Sequence, residues 1–175
     1  MTRKLPLLAY SLAVVVIILD QITKVWVLEG LRVALGERRP FLPGINMSLV
    51  YNRGISFGLF QSPEGQELIR WLLAVFSFAV AVALIVWVRK ATKRLTVVAI
   101  GLVIGGALGN LVDRVRFGYV VDFIDVSPMT SNLFPWVFNV ADSAITVGVA
   151  LLLVETLITP SKPASKPPRD EERAL

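Results

Sequence analysis

Residues 95–114 read LTVVAIGLVIGGALGNLVDR, and this stretch decides the fold class. Residues 95–112 carry no charge, so the stretch approaches the roughly 20 residues that cross a hydrocarbon core about 30 Å thick. Three others share its character: residues 5–19 with a continuation through Asp20 to Lys24, residues 71–88, and residues 137–158. Hydrophobic residues make up 55% of the 175-residue chain and charged residues 18%, short of the quarter usual in soluble domains. The expectation is an all-α membrane protein of four transmembrane helices.

The connections set the orientation. Residues 89–94, RKATKR, place four cations in a very short loop, which by the positive-inside rule faces the cytoplasm together with both termini. Arg3 and Lys4 precede the first span, but no small-residue cleavage site follows, so the segment reads as a retained anchor. In the first outer connection, residues 45–51 (INMSLVY) place apolar side chains at alternate positions, a strand pattern. A turn at Asn52-Arg53-Gly54 leads to a second extended candidate, residues 55–60. Residues 119–126 (YVVDFIDV) are β-branched and aromatic enough for another. A small extracytoplasmic β-sheet at the membrane surface is therefore expected from segments at about 41–60 and 118–126. Residues 1–159 form the membrane domain, and residues 160–175, PSKPASKPPRDEERAL, read as a disordered cytoplasmic tail.

The chain has no histidine and no cysteine, which excludes Ser-His-Asp and Cys-His catalysis and His- or Cys-built zinc sites. Its net charge of +5 is not gathered into a basic, aromatic-interleaved stripe, so nucleic acid is not an expected partner. Chemistry then falls to carboxylates. Asp122 in the second outer loop and Asp142 at the outer end of the fourth span lie near one membrane surface. Two adjacent carboxylates share a proton, leaving one base for water and one acid for a carbonyl oxygen. A helix N-terminus favours the anion, which makes Asp142 the expected ionised partner. A plainer reading stays open: Asn139 and Asp142 have the spacing of a helix cap, and Asp122 has neighbouring arginines to bond.

Other polar residues carry paired readings too. Asn110 and Arg114 share a helix face, where Arg114 either orients carboxylates and substrate or, with Asp113, marks the helix end. Gly101, Gly105 and Gly109 recur every four residues, a pattern for close helix packing or for a cleft that admits a lipid chain. Asp20 and Lys24 are spaced for an ion pair, with substrate positioning as the second possibility. Glu155 has no assigned role. A proton-coupled transporter with a relay through Asp20, Asp113 and Asp142 competes, yet the helix centres are nearly uncharged. An intramembrane aspartyl protease needs both aspartates deep in helices, and Asp122 follows a loop glycine.

Five blocks in order, residues 20–24 (DQITK), 52–58 (NRGISFG), 105–114 (GGALGNLVDR), 118–123 (GYVVDF) and 138–143 (FNVADS), together resemble the lipoprotein signal peptidase family, also called signal peptidase II. The resemblance spans about residues 5–158. It implies a bacterial inner-membrane aspartyl endopeptidase that removes signal peptides from prolipoproteins on the N-terminal side of a diacylglyceryl-modified cysteine. Asp122 and Asp142 would be the catalytic dyad. Asn52, Gly54, Asn110, Arg114, Asn139 and Ala141 would line the substrate site, with Asp20, Lys24 and Asp113 supporting it. Neither metal nor cofactor is implied; membrane lipids and globomycin-type inhibitors are the other partners, and a monomer is expected.

Overall fold

The computed structural model describes residues 4–54, 63–130 and 136–158. Four helices, α1 (Lys4–Val25), α2 (Pro63–Val88), α3 (Arg94–Phe117) and α4 (Val140–Ile158), are each long and apolar enough to cross a membrane. The chain is a multi-pass membrane protein. α3 is the central element and packs against the other three. Its glycines explain why: a methyl added at Gly101 or Gly105 would press within 2.8 Å of the Ala9 or Ala13 carbonyl oxygen of α1, and one at Gly106 would collide with the Ala141 carbonyl of α4. Lipid offers no hydrophobic drive for helices to associate, so close backbone approach at small residues supplies the contact. The glycine series is covered by α1 and α4, so close helix packing is what it serves among the described residues.

α1 shows how sequence spacing orients a span. Ala9, Ala13, Val16, Asp20, Lys24 and Val27 recur every three or four residues and are all buried, whereas Leu7, Val14, Ile18 and Ile22 face outward. That inward stripe begins apolar and ends charged. Its apolar half joins Val88, Val97, Ile100 and Ile104 in one core at the end of the bundle bearing the 89–94 loop.

The other end carries the sheet. β1 (Arg38–Leu42), β2 (Ile45–Asn52), β3 (Val120–Asp125) and β4 (Val137–Phe138) pair antiparallel in that order. Pro40 confines β1 to an edge, since proline donates no ladder hydrogen bond. The sheet closes over a π-helical extension of α1, Trp26–Leu31, through Val27, Val33, Met47, Leu49, Val121 and Phe123. Between β2 and β3 the register slips: Met47 faces Ile124 but Val50 faces Asp122, one extra residue on β2. This bulge has a large consequence. An unbroken ladder would put Tyr51 beside Asp122's face, whereas the slip gives that face to Val50 and Asn52.

Several boundaries differ from the sequence reading. α2 begins at Pro63 and α3 runs to Phe117, because helices continue into the polar interface while an apolar-run criterion stops at the first charge. Asp113 and Arg114 therefore lie within α3, Arg114 in its last turn, rather than just past an apolar run. Residues 137–138, expected to open the fourth span, form β4 instead, satisfying their backbone groups against Ile124 and Asp125. β1 starts at Arg38, ahead of the expected segment. The strand expected at residues 55–60 and the tail from residue 160 lie outside the described residues.

Candidate active site

α3 delivers Asn110, Asp113 and Arg114 to the sheet end, then stops at Gly118, whose φ of +83° favours glycine. The Gly118 amide donates to the Arg114 carbonyl over 3.2 Å, and two residues later the chain enters β3. Asp122 is thereby turned back over the helix ends and is only 1% exposed. Asn139, between β4 and α4, is fully buried beside it.

Amides join the two candidate carboxylates. Asn139 Nδ2 donates to Asp122 Oδ1 over 2.7 Å, while the Asn139 backbone amide donates to Asp142 Oδ2 over 3.2 Å. Asn139 Oδ1 in turn accepts the Asp142 amide at 2.9 Å. This reciprocal pair is a helix cap, so capping and convergence are one arrangement: the cap aims Asp142 at Asp122's neighbour. The remaining carboxylate oxygens have their own donors, Asn52 Nδ2 to Asp122 Oδ2 at 2.9 Å and Asn110 Nδ2 to Asp142 Oδ1 at 2.7 Å. Asp122 bonds Asn52 and Asn139 and no arginine among the described residues, against the plainer sequence reading.

Behind them is a buried ion cluster. Lys24 Nζ lies 2.7 Å from both Asp20 Oδ2 and Asp113 Oδ2 and donates to Asn110 Oδ1 at 3.3 Å. Lysine only donates, so Asn110 must turn its oxygen to Lys24 and its nitrogen to Asp142. Asp113 Oδ2 also accepts the Val121 amide, and Asp20 Oδ1 the Ala141 amide, each at 3.0 Å. Gln21 Nε2 completes the cluster with 2.8 Å to Asp113 Oδ1 and 3.2 Å to Asp20 Oδ2. Sequence reasoning gave Gln21 no role, since it is offset from the Asp20–Lys24 spacing.

Burial, reinforced by the charge of Asp142 and opposed by the amide groups of Asn52 and Asn139, pushes the Asp122 carboxyl from the ordinary 3.8 up to about 7. The Arg114 guanidinium lies within electrostatic reach of Asp142, Asp113 and Asp122, yet its one hydrogen bond among the described residues goes to the Asn110 carbonyl at 3.4 Å. Gly54 donates its amide to Asn52 Oδ1 at 2.8 Å, fixing that amide group. Of the residues expected to line a substrate site, Asn139 and Ala141 are buried at 0%; Asn139 bonds both candidate carboxylates, and the Ala141 amide bonds Asp20. A groove of about 450 Å³ lined by Trp136, Phe138, Asp142, Ser143, Thr146 and Val147 opens beside Asp142.

Fold and site define a multi-pass membrane protein whose paired acids are braced by amides and one lysine where helices meet the sheet. The sequence profile described as Signal peptidase (SPase) II matches residues 12–158, and the chain belongs to that family of proteases. It is 52% identical over 153 residues to the lipoprotein signal peptidase of Caulobacter vibrioides, covering 87% of this chain and 88% of that one. Identity to the Rhodopseudomonas palustris lipoprotein signal peptidase is 42% over 159 residues, 89% and 93% of the two chains. A solved structure titled as a bacterial membrane enzyme at 1.9 Å resolution superposes with a TM-score of 0.72 at 31% identity, over 87% of this chain and 94% of that chain.

Proposed function

We propose that this protein is an aspartyl endopeptidase that removes signal peptides from prolipoproteins, with Asp122 and Asp142 as the catalytic dyad. The observation that carries this reading is Asn139, one residue bonded to both carboxylates. The substrates are diacylglyceryl-modified prolipoproteins, cut on the N-terminal side of the lipidated cysteine. The enzyme sits in the bacterial inner membrane as a monomer, with termini and the 89–94 loop cytoplasmic and the dyad facing the exterior. A precursor held by its signal helix and acyl chains presents its scissile bond at that outer interface. The groove beside Asp142 offers the approach, and globomycin-type inhibitors compete for it.

Asp142, at the N-terminus of α4, serves as the base, and Asp122 carries the shared proton. A water between them loses a proton to Asp142 as its oxygen attacks the scissile carbonyl carbon, while Asp122 protonates the carbonyl oxygen. The tetrahedral diol collapses as the proton on Asp142 passes to the leaving amine and Asp122 regains one from the diol. No acyl-enzyme forms. Arg114, whose guanidinium is not committed to a carboxylate among the described residues, orients the substrate and the dyad. A proton relay through Asp20 and Asp113 is disfavoured, because Lys24 engages both.

Asp122→Asn and Asp142→Asn, made separately, test this on a lipidated precursor. Each is expected to lower cleavage at least about a thousandfold while the protein stays folded. Normal processing by either variant overturns the dyad.

A further inference from the structure

The outer end of α2 contains a cation that neither the sequence motifs nor the catalytic scheme uses. Arg70 is four-fifths buried and aims its guanidinium at the C-terminus of a different helix. Its Nε donates to the Arg114 carbonyl at 2.7 Å and its Nη2 to the Val115 carbonyl at 3.0 Å. Glu67, one turn earlier, holds Nη1 through both carboxylate oxygens at 3.1 Å, and the guanidinium carbon lies 4.9 Å from the Trp71 ring centre.

The geometry points to Arg70 as a positioning residue that acts through Arg114. The last carbonyls of a helix lack intrahelical donors and a cation there is favourable; the Arg114 carbonyl is met by the Gly118 amide, and Arg70 adds a second donor there and one to Val115. Here the cation is a rigid two-pronged donor, so it fixes the angle of the final turn as well as its charge. That turn carries Arg114. The same face of α2 grips the opposite rim: Gln66, Ile69, Arg70 and Leu73 follow helical spacing, Gln66 accepts from Arg53, and a methyl added at Gly54 would collide with Leu73. One helix face thus holds both the Asn52–Gly54 turn and the end of α3. The inference rests on the catalytic reading above, because its effect is read in cleavage.

The test uses the full chain, a lipidated peptide substrate and separate kcat and KM. Arg70→Met is expected to lower kcat/KM about tenfold or more, as displacement of a positioning group does. Arg70→Lys is expected to restore only part, since an ammonium cannot serve two carbonyls in parallel. The double variant Arg70→Met with Arg114→Ala is expected to be no worse than Arg114→Ala alone. Additive losses in that cycle, or kcat/KM within twofold of the parent for Arg70→Met, overturn the inference. Should Arg70→Met not fold, Arg70→Lys carries the test, and full parental activity there overturns it. Asp122→Asn assayed alongside separates the failures: cleavage by that variant defeats the dyad, whereas a dead Asp122→Asn beside an unaffected Arg70→Met defeats only the role of Arg70.

Discussion

The backbone amide of Ala141 donates to Asp20 Oδ1 over 3.0 Å, tying the first turn of α4 to α1 one residue before Asp142. The Val121 amide does the same on Asp113 Oδ2, one residue before Asp122. Lys24 sits 2.7 Å from both of those supporting carboxylates. A single ammonium therefore locates the backbone next to each member of the acid pair.

Replacing Lys24 by methionine leaves two buried carboxylates facing each other with no counter-charge. Breaking such a pair from one side costs about 3–5 kcal/mol. Thermal unfolding in detergent is expected to show that loss, with precursor cleavage falling further than the folded fraction does. Unchanged stability would mean the cluster is not held as described.

The Asp122 carboxyl, raised to about 7, makes a signed prediction. Between about pH 4 and 7 the folded state keeps a proton that the unfolded chain has released, so this group's contribution to stability is full below about pH 4. It is lost as pH rises through 7, on the order of 4 kcal/mol at about 1.36 kcal/mol per unit. Asp122→Asn lacks this dependence, and its melting temperature is expected to gain on the parent's as pH rises from 5 to 8. Cleavage by the parent is expected to decline above about pH 7, when the shared proton leaves; a rate still climbing at pH 9 contradicts the assignment.

Asn139→Ala removes a helix cap and a donor to Asp122 at once. Cap loss alone costs about 0.5–2 kcal/mol. The expected outcome is a stability loss of that size measured by thermal melting, together with a fall in kcat of at least about tenfold. Asp122 loses its Nδ2 donor and the Asp142 amide loses the Oδ1 that caps it, while the backbone amide of residue 139 still reaches the Asp142 carboxylate.

Gly109→Ala tests the close approach of three helices. The added methyl would lie 2.9 Å from Asp20 Oδ2 and 3.3 Å from Ala141 Cβ, forcing apart the contact that carries the Ala141 amide. A cost of about 1–3 kcal/mol follows from overpacking. Gly36→Ala is the control: its Cβ meets nothing within 4 Å, although φ is +78°. It is expected to lose only about 1 kcal/mol from the left-handed backbone and to leave cleavage unchanged.

The four spans were legible because an uncharged run of membrane length has few other uses, and the glycine spacing of α3 marked it for close packing, while its place at the centre of the other three was decided by the structure. The Asp20–Lys24 pair was legible from helical spacing alone. β1 was not, because Arg38, Arg39 and Pro40 are poor strand formers and their pairing with β2 is decided by an edge position. Arg70 was invisible for a different reason. Its partners are backbone carbonyls 44 and 45 residues away, and a carbonyl has no residue type to read.

By itself the sequence determined that the chain crosses the membrane, that its chemistry has no histidine or cysteine to rely on, and which acidic residues are near one surface. Periodicity and composition are local properties, and they suffice for those conclusions. Tertiary structure decided which side chains meet. The one-residue bulge in β2 turns Asn52 rather than Tyr51 toward Asp122, and the cap residue of Asp142, Asn139, reaches Asp122 at a separation of 17 residues along the chain. Register and long-range closure depend on the balance of packing across the whole fold, so no stretch of residues encodes them alone.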